Sequence, residues 1–210
     1  KYFNYSKSKY QEFKIISSSL NKNKNYTLIT NLGYNFFRIV LNLKKKGRMM
    51  IVPLFDSDKV NLFKKIIFNF LGVTFIKIQS VQNQSIKEVK LPKINFNYKN
   101  KDLSKVLNFR ASQEKSTFIK LHNQSEAIDK FFKKIKINLV ITNFTRDIHG
   151  YFVDLAKKKN INSVCIPHGT LSKNFNSFDK IYKETISEAI TSSNATFHTS
   201  QSSIAKDYFR

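Results

Sequence analysis

The chain has 210 residues, 41% of them hydrophobic with 20 phenylalanines, which excludes a disordered tail and allows a sizeable core. Its single cysteine, Cys165, excludes an internal disulfide framework, and its apolar neighbours predict a small buried hydrophobe rather than a nucleophile. The formal net charge of +23 fits either attraction to an anionic partner or the residue bias of AT-rich codons, since the lysines are scattered over every segment.

No targeting or membrane-spanning segment is visible in the sequence. The apolar stretch 66–78 is interrupted by Asn69, Gly72 and Lys77, and it is too short to cross a bilayer. The N-terminus lacks the apolar core of a signal peptide. A cytoplasmic location is therefore expected. Lys1 rather than Met stands first, which is the pattern of an excerpt from a longer chain.

Residues 1–25 are predicted to form a polar, helical extension. Tyr10, Phe13 and Ile16 recur at helical spacing, and this predicts a surface helix from about Ser8 to Leu20.

From residue 26 onward, short β-favouring runs alternate with helical stripes. Strands are predicted at 26–30, 49–54, 73–78, 137–142, around 164–166 and at 195–199. The helices between them have stop signals at Gly47 and Gly72, and Asp56–Asp58 is predicted to cap the second helix. This alternation predicts an α/β, Rossmann-like domain over residues 26–210, with a mostly parallel sheet flanked by helices.

One stretch, at about 79–122, loses this rhythm and is predicted to be an irregular insertion that covers a crevice or mediates a contact. Rhythm returns at Asn123, where Glu126 three residues later resembles a capping box that opens the next helix. Further helices are predicted after residue 147, around 185–190 and from about Ser202.

The carboxyl ends of parallel strands line the ligand crevice of such folds, so the residues after each predicted strand form the candidate substrate site. These are Asn31, Gly33, Tyr34, Asn143, Arg146, His149, Gly169, Thr170 and Ser200. His168 is the catalytic candidate, because a strand-end imidazole beside a glycine can take a proton from a hydroxyl group. A purely structural hydrogen bond from His168 to a loop is the equal alternative.

The other histidines are open to simpler interpretations. His149 either faces the crevice or serves as a helix cap or salt-bridge partner, while His122 is predicted to be solvated and His198 to be structural. No dinucleotide-binding glycine fingerprint, P-loop, nucleophile elbow or metal-spaced His/Cys cluster is present. The sequence therefore predicts no metal and no tightly bound cofactor.

The stretch from Asp147 to Phe209 resembles the end of the N-terminal domain in GT-B-fold transferases that build surface polysaccharides. The similarity lies in the strand reading Ser-Val-Cys-Ile-Pro-His-Gly-Thr over 163–170, a Glu-containing helical stretch, and the run Ala-Thr-Phe-His-Thr-Ser over 195–200 before a helix. His168-Gly169-Thr170 followed by Lys173 also resembles CDP-glycerol glycerophosphotransferases. This resemblance implies that His168 is a general base.

The resemblance further implies the acceptor-side half of a nucleotide-sugar-dependent glycosyltransferase, with a C-terminal donor domain missing and no activity alone. Its partners would be a nucleotide-linked sugar or polyol donor as co-substrate and a glycan or lipid-linked acceptor, with peripheral association at the inner face of the membrane and no nucleic acid. Alternatives are a CDP-glycerol glycerophosphotransferase-like enzyme, a sugar-nucleotide epimerase fragment, or a non-enzymatic basic module that binds nucleic acid or membrane. That module predicts Lys and Arg clustered on one face among exposed aromatic side chains.

Overall fold

Strands and helices alternate along most of the chain. The computed structural model describes residues 2–3, 12–16, 20–32, 36–55, 60–81, 91–98, 100–143, 147–166, 176–177 and 194–199. The strands are β1 Tyr2–Phe3, β2 Glu12–Ile16, β3 Asn25–Ile29, β4 Met49–Phe55, β5 Val73–Val81, β6 Leu91–Pro92, β7 Asn97–Tyr98, β8 Lys101–Asp102, β9 Lys136–Thr142, β10 Asn162–Cys165 and β11 Phe197–His198. The helices are α1 Phe36–Lys45, α2 Leu62–Phe70, α3 Ser104–Gln113, α4 Lys115–Lys134 and α5 Asp147–Lys158.

Seven of these strands form one sheet in the order β11-β10-β9-β3-β4-β5-β2. Six of them run parallel, and only the edge strand β2 is antiparallel to its neighbour β5. The predicted α/β Rossmann-like class, with a mostly parallel sheet flanked by helices, is confirmed. All six strands predicted from residue 26 onward are found within a few residues of their expected bounds.

The sheet is buried on both faces, which is why its central strands are apolar at successive positions. Met50 and Val52 belong to the core cluster that α1 and α2 cover, whereas Ile51 belongs to the cluster under α4 and α5. In the second cluster, Phe152 of α5 is 1% exposed. Each such large apolar side chain contributes roughly 1.5–3 kcal/mol by leaving water.

Two of the predicted helix stop signals are confirmed by backbone geometry. Gly47 has φ of 66° and Gly72 has φ of 85°, in the left-handed region that a residue without Cβ adopts at low cost. After Gly47 the chain is fastened by a hydrogen bond of 2.9 Å from the Arg48 N–H to the Leu43 carbonyl. The lysines that end α1 lie beside these last carbonyl groups, where positive charge is favoured.

The predicted helix from Ser8 to Leu20 is wrong over Glu12–Ile16, which form β2. This strand pairs antiparallel with β5, with Ile15 opposite Ile78. The open edge of β5 offers a row of hydrogen-bond partners that residue spacing within 8–20 cannot reveal. Consecutive β-branched Ile15 and Ile16 fit a strand well, so the tertiary pairing overrides the helical spacing.

Two predicted helix starts are also wrong. Helix α4 begins at Lys115 rather than at Asn123, which lies 2% exposed inside the helix. Asn123 and Glu126, which resemble a capping box in the sequence, therefore both lie inside α4 and do not mark its start. Helix α2 is capped not by Asp56–Asp58 but by Asn61, whose Oδ1 accepts a 2.9 Å hydrogen bond from the Phe63 N–H.

Three further predictions concern the stretch at about 79–122, the last two helices and membrane-spanning segments. The stretch at about 79–122 contains the end of β5, short strands, α3 and the start of α4. The helices predicted around 185–190 and from about Ser202 lie outside the described residues. Among the described helices, none combines the length and the apolar character needed to cross a membrane.

Candidate functional site

The order of strands defines one crevice at the carboxyl edge of the sheet. From β3 the chain proceeds outward through β4 and β5, and from β9 it proceeds in the opposite direction through β10 and β11. Strands β3 and β9 are neighbours, so the direction of winding reverses between them. In open α/β sheets the ligand binds beyond the carboxyl ends of the strands at such a topological switch point.

Two threonines hold the ends of these strands together. The Thr30 hydroxyl donates a 2.9 Å hydrogen bond to the Thr142 hydroxyl, and both residues are fully buried. The Thr30 N–H also donates to the Ile141 carbonyl at 2.9 Å, which extends the ladder past the end of β3. The carbonyl of Thr142 accepts a 2.7 Å bond from the Ile166 N–H just after β10. The floor of the crevice is therefore rigidly connected.

Asn31 and Asn143 follow directly after these threonines. Since Ile29 is aligned with Ile141, carrying the register on by two residues aligns Asn31 with Asn143. Neighbouring strands are about 4.8 Å apart, so this register brings the backbones of the two asparagines close together. Each Oδ1 is buried and has no hydrogen-bond partner within the described part of the chain, and Asn143 is only 2% exposed overall. The structure thus brings together two of the predicted site residues.

His149 lies on the first turn of α5, which follows β9. Its ring contacts the ring of Phe55 edge-on, with centroids 6.1 Å apart and planes at 77°. Phe55 is the last residue of β4, so this contact holds His149 at the carboxyl edge of the sheet. Whether His149 faces the crevice and binds a ligand there stays a prediction.

Lys64 is a candidate that sequence reasoning missed. Its Nζ donates a 3.0 Å hydrogen bond to the carbonyl of Leu32, in the segment that follows β3. This contact places an ammonium group of α2 at the residue that follows Asn31. No local sequence signal could have indicated it, because the two residues are 32 positions apart and meet only through the packing of α2 on the sheet.

The other predicted site residues lie outside the described residues: Gly33, Tyr34, Arg146, His168, Gly169, Thr170 and Ser200. Their roles stay predictions. The strands that precede His168 and Ser200 along the chain are confirmed. They are β10, which ends at Cys165, and β11, which ends at His198, and the two pair in parallel.

Cys165 is fully buried, as predicted. Burial raises the pKa of its thiol to about 11, because the thiolate would lose its hydration. A thiol in this state is a poor nucleophile at neutral pH, so it is a core side chain rather than part of the reactive site.

The other two histidines are exposed. His122 lies on α4 rather than in the predicted loop, with Nε2 at 3.7 Å from Oε1 of Glu126, one helical turn away. His198 is on the edge strand β11. Within the described residues, no three His, Cys, Asp or Glu side chains are grouped closely enough to hold a metal ion.

Two open clefts lie away from the switch point. One, of about 480 Å³, is lined by residues of the 93–112 region, including Lys93, Asp102 and Asn108. The other, of about 440 Å³, is lined by Asn162 and Asn194 and adjoins the amino end of β10. Because ligands of parallel α/β sheets bind at the carboxyl edge, the second cleft lies at the less favourable edge.

No protein-family model matches this chain, and no curated protein sequence matches it.

Proposed function

We propose that the switch-point crevice binds a hydroxyl-rich ligand, a sugar or polyol, and that the chain is the acceptor-side domain of a nucleotide-sugar-dependent glycosyltransferase in cell-surface polysaccharide synthesis. The observation that carries the ligand class is the aligned pair of buried Oδ1 atoms on Asn31 and Asn143. The transferase class rests on the resemblance of residues 147–209 to GT-B enzymes. On this proposal the chain acts in the cytoplasm, at the inner face of the membrane.

The chemistry of the two amide oxygens favours a ligand that donates hydrogen bonds. A buried acceptor without a donor costs about 1–3 kcal/mol, and a ligand hydroxyl removes that cost. A phosphodiester or carboxylate has no proton to donate at neutral pH, whereas every sugar hydroxyl can both donate and accept. Lys64, held at the Leu32 carbonyl, adds positive charge for a phosphate further along the same donor or acceptor.

In the proposed reaction, His168 is the general base. An acceptor hydroxyl oxygen attacks the anomeric carbon of the donor, the bond from that carbon to the nucleoside diphosphate breaks, and the hydroxyl proton passes to His168. The nucleoside diphosphate leaves with the electron pair of the broken bond. The donor is held by a second Rossmann-like domain, as in the enzymes that the sequence resembles.

The test is a titration of the ¹⁵N-labelled protein with a panel of monosaccharides, glycerol, and UDP- and CDP-linked donors, followed by NMR at the Asn31 and Asn143 amides. We expect saturable shifts with a sugar or polyol, and a loss of affinity of about tenfold in Asn31→Ala and in Asn143→Ala. Asn42→Ala, which alters an exposed asparagine of α1, is the matched control and should bind as the parent does.

Three results separate the alternatives. Shifts that Asn31→Ala and Asn143→Ala leave unchanged would overturn the proposed site. A high-resolution crystal structure that shows only ordered water on both Oδ1 atoms, with the sugar bound elsewhere, would overturn it as well. Saturable shifts with glycerol and none with the monosaccharides, lost in Asn31→Ala and Asn143→Ala, would favour the glycerophosphotransferase alternative.

A further inference from the structure

Helix α2 presents an apolar face to solvent. Leu62, Phe63, Ile66 and Phe70 are 72%, 70%, 57% and 83% exposed. At 3.6 residues per turn, these four side chains fall within an arc of about 100°. Phe68, on the opposite side of the helix, is buried against the sheet. The helix is therefore apolar on both sides. Packing against the sheet explains the side that carries Phe68, but it does not explain the exposed side.

The exposed face is large for a single short helix. A phenylalanine side chain offers about 200 Å² of surface, so Phe63 and Phe70 alone leave on the order of 300 Å² uncovered. Contiguous apolar patches of this size mark interaction surfaces when polar residues rim them.

Positive charge surrounds this face. Residues 36–48 and 60–72, which hold α1 and α2, contain seven cationic side chains and no Asp or Glu: Arg38, Lys44, Lys45, Lys46, Arg48, Lys64 and Lys65. By contrast, α4 and α5 on the other side of the sheet carry acidic residues such as Glu126 and Asp154. Helices α4 and α5 also carry seven lysines, but four acidic residues stand among them. The segments 36–48 and 60–72 therefore differ from the other side of the sheet in having positive charge without any carboxylate.

Helices α1 and α2 contact each other through mixed apolar and cationic side chains. Nζ of Lys44 donates a 2.7 Å hydrogen bond to the Phe70 carbonyl and lies 4.9 Å from the centroid of the Phe70 ring. Phe37 of α1, itself 45% exposed, meets the ring of Phe68 edge-on at 6.1 Å. We call the exposed side chains of α1 and α2 the α1–α2 face.

We propose that the α1–α2 face docks on an anionic lipid membrane. The side chains of Leu62, Phe63, Ile66 and Phe70 enter the boundary between headgroups and acyl chains. The surrounding lysines and arginines, with their long aliphatic stems, bind the lipid phosphates. This arrangement stands independently of the ligand proposed for the switch-point crevice.

Charge and side-chain chemistry distinguish this occupant from two others. A second copy of the chain would bring seven cations against seven cations, which is electrostatically unfavourable. A nucleic acid would stack its bases on aromatic rings, and the aliphatic Leu62 and Ile66 have no ring to offer. An anionic membrane offers phosphates to the surrounding lysines and arginines, and it offers an apolar interior to Leu62 and Ile66.

The test is flotation of the protein with vesicles of phosphatidylcholine alone or mixed with phosphatidylglycerol. We expect binding to the anionic vesicles only, weakened by high salt because exposed charges are screened. The double variant Phe63→Gln with Phe70→Gln should bind at least about tenfold more weakly. Its matched control is Phe109→Gln, which alters a similarly exposed phenylalanine on α3.

The role of the cations is tested with two triple variants that each remove three positive charges from different parts of the protein. Replacement of Lys45, Lys46 and Arg48 by glutamine should weaken binding strongly, whereas replacement of Lys133, Lys134 and Lys158 by glutamine, near the ends of α4 and α5, should leave most of it. Because the sequence has no tryptophan, Phe63→Trp also supplies a unique probe whose emission should shift to the blue on binding. Phe109→Trp should show no such shift.

Several outcomes would overturn the proposal. Equal losses in the two triple-charge variants would show that net charge, and not this face, attracts the vesicle. Concentration-dependent dimerisation that the double Phe variant abolishes, without vesicle binding, would assign the face to a second copy. Binding of single-stranded DNA, but not of vesicles, with the same sensitivity to Phe63 and Phe70 would assign it to nucleic acid.

Discussion

The hydroxyl groups of Thr30 and Thr142 meet at 2.9 Å in a buried hydrogen bond between strands that lie 112 residues apart in the chain. This contact joins the two halves of the sheet through side chains at the floor of the switch-point crevice.

Thr30→Val and Thr142→Val should each lower the free energy of unfolding by about 1–2 kcal/mol, since each removes the buried hydrogen bond between the two side chains. The double variant should cost less than the sum of the two, because the same hydrogen bond is lost only once. Urea unfolding of the four proteins measures the coupling. Strict additivity would contradict a direct interaction between the two hydroxyls.

Asn143→Leu should stabilise the free protein by about 1 kcal/mol, because it puts an apolar side chain of similar volume in place of a buried amide whose Oδ1 has no partner among the described residues. The same change should abolish the binding of the sugar or polyol. Urea unfolding and the NMR titration give the two readouts. A loss of stability with unchanged binding would mean that Asn143 is a structural residue.

Tyr151 and Asp129 predict a dependence of stability on alkaline pH. The Tyr151 hydroxyl donates a 2.8 Å hydrogen bond to Oδ2 of Asp129, and burial first, then this bond, raises the pKa of Tyr151 to about 12. In the unfolded chain the pKa is about 10, so the folded state favours the protonated phenol. The stability that this supplies is complete below pH 10 and is lost as pH rises from 10 to 12.

The measurement compares the parent with Tyr151→Phe from pH 8 to pH 12. The difference in free energy of unfolding should be constant up to pH 10 and should shift against the parent above it. Ultraviolet titration of the nine tyrosines should also show one late ionisation that the variant lacks. A difference that is flat across the whole range would refute the assignment.

Cys165 should not react with a thiol reagent at pH 8 in the folded protein. It is fully buried and its pKa is raised to about 11 by that burial, so neither access nor the thiolate form is available. Unfolding in guanidinium should release one reactive thiol per chain. Labelling within minutes under native conditions would show that the end of β10 opens readily.

The parallel strands could be predicted because they carry their own signal. In β4, Ile51 and Val52 are both fully buried although they point to opposite faces, and such a run between turn residues indicates a strand covered on both sides. The β2 strand carries no such signal, since its stability comes from β5, more than fifty residues away. The spacing of residues within a short segment cannot reveal a strand partner that lies elsewhere in the chain.

The candidate site was predictable in the same partial way. Asn31 and Asn143 could be named because each follows a predicted strand and polar residues collect at strand ends. That they lie next to each other depends on β9 inserting beside β3, a choice of strand order that no local pattern encodes. Lys64 could not be predicted for the same reason, because its partner is the backbone carbonyl of Leu32, which follows β3.

The position of β2 has a consequence for how the protein is made. The ribosome releases β2 before its partner β5, which begins about 57 residues after β2 ends. At about 5–20 residues per second, roughly 3–11 s pass before the pair can form. Throughout that time β2 has no strand partner, and its backbone donors and acceptors stay open to other edges.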